Sequence, residues 1–252
     1  MPKSDTRRMQ PGDITEAVGL LTRLPVVSSG VRGARAAWAF PLAGALIAAI
    51  SGAIGWFMFA IGLPAGLTGA LVLAALIIST GAMHEDGLAD CADGFWGGWD
   101  VSRRLEIMKD SQIGTYGVVA LVLSLLARWS ALVTLINAGW IVAPLIGAAV
   151  LSRAPMVAVM VWLEPARDNG LSKSVGRPDP EIAVLASIIA LLVALVFTGF
   201  PAIPAALAAG FLGFVVALIA KTKIAGQTGD VLGATQQVAE IGVLAVLTAL
   251  AG

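Results

Sequence analysis

About seven apolar runs of near-bilayer length dominate this chain, over roughly 37–62, 64–82, 117–137, 140–163, 182–199, 201–220 and 236–251. A membrane-spanning helix needs about 20 mainly apolar residues. In lipid, every backbone N–H and C=O must find a partner inside the protein, so runs of this kind fold as helices. Breaker chemistry separates several of them: Gly62-Leu63-Pro64, Asn137-Ala138-Gly139 and Gly199-Phe200-Pro201. The last run is short and contains Glu240. With 58% hydrophobic and 13% charged residues among 252, and a mean hydropathy of +0.89, the chain is too apolar for a soluble domain of its size. The expected fold class is all-α: a polytopic integral membrane helix bundle, one membrane domain over 1–252, with its active site at the cytoplasmic face.

Basic residues orient the expected bundle. Lys3, Arg7, Arg8, Arg23, Arg32 and Arg35 precede the first run, in a cytoplasmic or interfacial segment over 1–36. Arg103, Arg104 and Lys109 follow the second, Arg167, Lys173 and Arg177 the fourth, and Lys221 and Lys223 the sixth. The opposite loops carry no Lys or Arg. The positive-inside rule then makes the amino terminus and the loops 83–116, 164–181 and 221–235 cytoplasmic, in a multi-pass protein of the cell inner membrane. The polar first residues lack the apolar core of a cleavable signal. Ile14, Val18 and Leu21 have helical spacing, for a helix lying on the inner leaflet or packed on the bundle. Trp38, Trp140 and Trp162 sit near run ends, where the headgroup layer suits an indole. Zero formal charge gives no sign of a nucleic-acid partner, and the single cysteine, Cys91, rules out an internal disulfide.

Against this background the stretch HEDGLADCADG, residues 84–94, stands out for four carboxylates in nine positions. If the second helix continues past Met83, Asp86, Asp90 and Asp93 share an arc of about 60°. Carboxylates so placed repel one another unless a cation neutralises them. Oxygen-only ligands favour Mg²⁺, Mn²⁺ or Ca²⁺ over zinc, and Mg²⁺ commonly completes its shell with substrate phosphate oxygens. The plain alternative is a solvated acidic loop. Gly87 and Gly94 thin the side chains beside the acids, as close approach of a ligand requires. Glu85 lies at the edge of the arc and reads as a solvated neighbour. His84, the sole histidine, is either a base or phosphate donor or a helix cap, and Cys91 reads as packing.

In VSRRLEIMKDSQIGTYG, Ser102 reads as the cap of a helix carrying Arg103, Glu106, Lys109 and Asp110. Its cations suit phosphate; the alternative is a salt-bridged surface helix. A third polar stretch, GQTGDVLGA, carries Asp230 as a further metal ligand, a base or an ordinary turn residue. Arg128 and Arg153 fall inside apolar runs, Arg128 to snorkel or pair with an acid and Arg153 to line a cavity.

Taken together these stretches resemble a known family. HEDGLADCADG is similar to the His-x-Asp-Gly-x-x-Asp-x-x-Asp-Gly element of cobalamin synthases, the adenosylcobinamide-GDP ribazoletransferases. RRLEIMKDSQIGTYG, GQTGDVLGA and the early LLTRLPV resemble three further elements in the same order. Glu85 stands where the family is often apolar, and Gln112 where a basic residue is common.

The resemblance implies that a hydroxyl of α-ribazole, or of its 5′-phosphate, attacks adenosylcobinamide-GDP. GMP leaves, and adenosylcobalamin or its phosphate forms. It implies Mg²⁺, or Mn²⁺, on Asp86, Asp90 and Asp93, with Asp86 essential to catalysis. Asp230, Arg103, Lys109 and Ser111 would bind substrate, and Asp110 or His84 would take the proton. Membrane lipid and other cobalamin-assembly enzymes are the further partners implied. Three rival classes fit less well. A CDP-alcohol phosphotransferase would show Ala-Arg after Asp86-Gly87, a prenyltransferase a second Asp-rich element, and a cation transporter acids near the midplane.

Overall fold

The computed structural model describes residues 9–28 and 30–251, so Lys3, Arg7 and Arg8 of the basic amino-terminal group lie outside the described residues. Helix α1 (Gly12–Leu21) packs against the bundle, burying Ala17, Val18 and Leu21. Its Asp13 accepts hydrogen bonds from Arg32 (2.6 Å at Nε) and from the Trp38 indole (2.8 Å). Burial alone would raise the Asp13 carboxyl, but the Arg32 guanidinium, the Trp38 N–H and the Gln10 backbone N–H together hold it below its ordinary range. Trp38 is thus a buried anchor of α1 and not a headgroup-layer ring, whereas Trp140 and Trp162 are exposed.

A 3-10 segment, Gly33–Ala39, leads into α2 (Phe40–Ala60), and together they form the first apolar span. Five further helices are long and apolar enough to cross a membrane: α6 (Thr115–Asn137), α7 (Val142–Trp162), α9 (Pro180–Thr198), α10 (Ala202–Ile224) and α11 (Gly229–Leu250). Helix α7 is central and packs against α2, α9, α10 and α11. Alanines at one face of α9 (Ala186, Ala190, Ala194) and of α10 (Ala202, Ala205, Ala209) are fully buried. Small residues allow close helix contact where lipid offers no hydrophobic drive for association.

The second run differs from expectation. Helix α3 (Ala65–Thr80) ends at Gly81 (φ +64°), Ala82 is also left-handed (φ +58°), and α4 (Met83–Gly97) departs at 86°. Glycine adopts this conformation cheaply, while the alanine costs about 1–2 kcal/mol. The helix therefore does not continue past Met83. Counting the bent pair as one span brings the total to the expected seven. In that pair α3 is the apolar arm and α4 the short, acidic one.

The polar loops are also more ordered than their composition indicates. Residues 83–116 hold α4 and α5 (Val101–Ile107), and Asp100, not Ser102, caps α5 by accepting the Arg103 N–H at 2.9 Å. The segment 164–181 contains the one-turn helix α8 (Leu171–Val175). The last span begins at Gly229 and not near residue 236, with Thr228 as its cap. Only residues 225–228 separate it from α10.

Candidate active site

Two helix starts meet at one cavity. The first turns of α4 (Met83, His84, Asp86) and of α11 (Gly229, Asp230) line a pocket of about 270 Å³. The segment 165–175 closes it from the other side with Arg167, Asn169 and Lys173. Helix starts present unpaired N–H groups and a positive dipole end, which suit an anion. The close approach depends on glycine: a β-carbon on Gly87 would lie 2.7 Å from the Asp230 carbonyl oxygen, and one on Gly233 would lie 3.2 Å from the His84 Cα.

Arg167 was read from the sequence only as an orienting charge. It reaches the site because residues 164–166 pair with Gln227 just ahead of α11: Gln227 donates to the Glu164 carbonyl (2.9 Å), and Ala166 donates to that of Gln227 (2.8 Å). Arg167 then donates to Asp230 Oδ2 at 3.3 Å and to the Leu105 carbonyl at 3.1 Å. Thr228 also donates to Asp230, at 3.1 Å.

Asp86 lines the cavity and is exposed, and Asp90 is half-buried one turn further on. Burial, followed by the Asp230 and Asp86 carboxylates, pushes the Asp90 carboxyl up to about 7. Arg167 opposes this only in part. The donor set is hard oxygen and short of positive charge, which fits Mg²⁺ or Mn²⁺. Among the described residues no group of three or more His, Cys, Asp or Glu is already arranged around a metal position. That fits an ion held by one or two carboxylates plus a substrate phosphate better than a closed protein cage.

Asp93, expected among the metal carboxylates, has another task. Its oxygens accept the backbone N–H groups of Gly114 (2.7 Å) and Gly117 (2.9 Å), so it caps the start of α6. A β-carbon at either glycine would strike the carboxylate. Asp93→Ala should therefore lower the thermal unfolding midpoint of the detergent-solubilised protein, by about 1–2 kcal/mol of stability. Asp93→Asn, which keeps one acceptor, should lose less. An unchanged midpoint in the alanine variant would show that this cap does not hold α6.

The expected phosphate-binding residues of the α5 region are not in the cavity lining. Arg103, Lys109, Asp110 and Ser111 are exposed; Arg103 pairs with Glu106 at 3.1 Å, and Asp110 accepts the Gln112 N–H at 3.0 Å. Gly94 is small because Met108 packs on it, so it is not a ligand channel. Glu85 is no solvated neighbour: it is buried and paired with Arg128 at 2.8 Å. Arg153 lines a small polar pocket behind His84, separate from the main cavity lining. Cys91 is buried packing.

His84 is 2% exposed and lines the main cavity. Neither ring nitrogen has a hydrogen-bond partner among the described residues. Burial, with the Arg153 and Arg128 guanidiniums, pushes the imidazole pKa well down, so it is held neutral with a free acceptor nitrogen.

Comparison with known proteins shows the family. The family model described as Cobalamin-5-phosphate synthase matches residues 13–248. An adenosylcobinamide-GDP ribazoletransferase of Bradyrhizobium diazoefficiens is 40% identical over 254 residues, covering 99% of this chain and 98% of its own. Proteins of the same name from Mesorhizobium japonicum (42%; 93% and 92% covered) and Sinorhizobium medicae (43%; 93% and 95% covered) are similar over nearly their whole lengths. No solved structure matches. With its acidic α4 and its Asp230 loop set at one cavity, the chain belongs to the cobalamin-5-phosphate synthase family.

Proposed function

We propose that this protein is an adenosylcobinamide-GDP ribazoletransferase carrying out the final joining step of cobalamin biosynthesis. The observation that carries the reading is the convergence of Asp86, Asp230, Arg167 and two helix starts on one cavity, in a chain about 40% identical to enzymes of that name. The ribose hydroxyl of α-ribazole, or of its 5′-phosphate, forms a new P–O bond at the phosphorus nearer the corrinoid. The bond from that phosphorus to GMP breaks, and GMP leaves with its phosphate.

Asp86 and Asp230, the two carboxylates in the cavity lining, would hold a divalent cation, Mg²⁺ or Mn²⁺, whose charge when bound offsets that of the diphosphate. Arg167 and Lys173, in the same cavity lining, bind phosphate oxygens, and the starts of α4 and α11 there favour an anion. His84 lines the cavity as the proposed acceptor of the hydroxyl proton, although its burial and the nearby guanidiniums weaken it as a base. It is preferred to Asp110, which is exposed and absent from the cavity lining.

The connections α5–α6 and α7–α9 and the last turn of α10, with Lys221 and Lys223, are basic, while the connections at 61–64, 138–141 and 199–201 carry no basic residue. This charge partition supports a cytoplasmic site. Cysteines placed singly at Lys173 and at Phe200 in a Cys91→Ser background, labelled in sealed inside-out vesicles, test it. Labelling of position 173 alone agrees, and labelling of position 200 alone reverses the orientation.

The direct test uses detergent-purified protein with adenosylcobinamide-GDP and α-ribazole 5′-phosphate. Product and GMP should appear together with Mg²⁺ present and disappear with EDTA, returning when Mg²⁺ is restored. No product from folded protein and intact substrates would overturn the activity. Full turnover in EDTA would overturn the cation alone.

A further inference from the structure

A second polar cluster lies behind the cavity, within the apolar body of the bundle. Arg128 of α6, 2% exposed, is its hub. Its Nη1 lies 2.8 Å from Glu85 Oε1 on α4, and its Nε lies 3.0 Å from Glu240 Oε1 on α11. Nη1 also donates to Gln237 Oε1 at 2.8 Å, and Gln237 in turn donates to Glu85 at 3.1 Å. Ser124 of α6 donates to the same Gln237 oxygen at 3.1 Å, and Gln236 donates to Glu240 at 2.5 Å. Arg153 faces the same small pocket, so two guanidiniums stand against two carboxylates.

Buried ion pairs seldom add net stability, because desolvation offsets their attraction; their attested use is to fix one arrangement over others. Arg128 joins the two helices that carry the site. Glu85 is the neighbour of Asp86 in sequence, and Glu240 stands on the helix whose first turn carries Asp230. Helices α4 and α11 touch through Gly87 and Gly233, contacts that set how close they come but carry no directional bond. A guanidinium hydrogen-bonded to a carboxylate on α4 and ion-paired with one on α11 adds a directional tie between them.

We propose that Arg128, with Glu85 and Glu240, is a positioning clamp that sets the spacing of Asp86 and Asp230 and thereby the cation affinity of the site. The inference rests on the transferase reading above but acts through residues that touch neither cation nor substrate. Groups that orient ligands in this way typically cost about 10–100-fold in metal affinity or activity when removed.

The probe is Mn²⁺ alone, its binding to the purified protein followed by electron paramagnetic resonance, beside turnover at saturating substrates. Arg128→Gln should weaken Mn²⁺ binding and lower kcat by about 10–100-fold, with KM changed far less. Arg128→Lys should recover part of both. A folded Arg128→Gln protein with wild-type Mn²⁺ affinity and kcat would overturn the clamp, as would one whose unfolding midpoint falls while both stay unchanged.

Should Arg128→Gln not fold, Glu240→Gln releases only the α11 end without changing shape and is judged by the same two readouts. Should the wild-type protein turn over without binding Mn²⁺, the cation reading falls. The clamp's link to affinity falls with it, and an unchanged kcat in Glu240→Gln would dispose of the remainder.

Discussion

Asp86→Asn is expected to reduce turnover by about a thousandfold or more while leaving a folded membrane protein, as judged by elution profile and unfolding midpoint. A thousandfold corresponds to about 4 kcal/mol of transition-state stabilisation, which is the scale of one well-placed electrostatic group in a closed site. The two outcomes separate cleanly because Asp86 carries no structural duty. Its side chain is exposed, and among the described residues it forms no hydrogen bond or ion pair. Removing an exposed, unbonded charge changes stability by about 0.5 kcal/mol or less. Losing one of several crowded carboxylates relieves repulsion on Asp90. Activity should therefore collapse with the unfolding midpoint unchanged or slightly raised. A folded Asp86→Asn protein with near-normal kcat would remove the carboxylates from the reaction and leave the cavity to Arg167, Lys173 and His84 alone.

The bundle was largely legible in the sequence because lipid imposes a simple rule on length and polarity, and the apolar runs obey it. Gly81 was the exception: a left-handed glycine inside a run is invisible to hydropathy, so the 86° turn that aims α4 across the bundle did not show. Asp86 and Asp230, which the fold brings to one cavity, stood out because acids beside glycines are costly at the end of an apolar run without a purpose.

Arg167 was missed because it arrives through the pairing of residues 164–166 with Gln227, a contact between segments about 60 positions apart that no local pattern records. Arg103 and Lys109 lie outside the cavity lining for the opposite reason. Nearness in sequence to the acidic helix suggested nearness in space, yet Met108 turns inward onto Gly94 while Arg103 and Lys109 stay exposed. Glu85 shows how much one position matters on a helix. A step of about 100° from Asp86 turns it off the cavity side and toward Arg128. The signal for that pairing was present: two acids and two arginines in or beside apolar runs, where an unpaired charge is expensive.

Gly87→Ala is the second substitution expected to have a large effect, and its sign comes from two opposing contributions. On an open helix face, glycine to alanine gains about 1 kcal/mol. At residue 87, however, the added carbon would lie 2.7 Å from the Asp230 carbonyl oxygen and 3.0 Å from its Cα. These are backbone atoms of the opposing helix and cannot rotate away, so α4 and α11 must part by several tenths of an ångström. Overpacking of this kind costs about 1–3 kcal/mol, which leaves a net loss of stability or little change.

The effect on catalysis should be larger, because the gap opens between Asp86 and Asp230 themselves, and small displacements of reacting groups cost about a hundredfold in rate. Gly210→Ala on α10 is the control. Its added carbon meets nothing within 4 Å, and both stability and turnover should stay near wild type. Turnover in Gly87→Ala that matches Gly210→Ala would mean that the spacing of the two helices tolerates the shift, and that the glycine contact serves packing without serving the reaction.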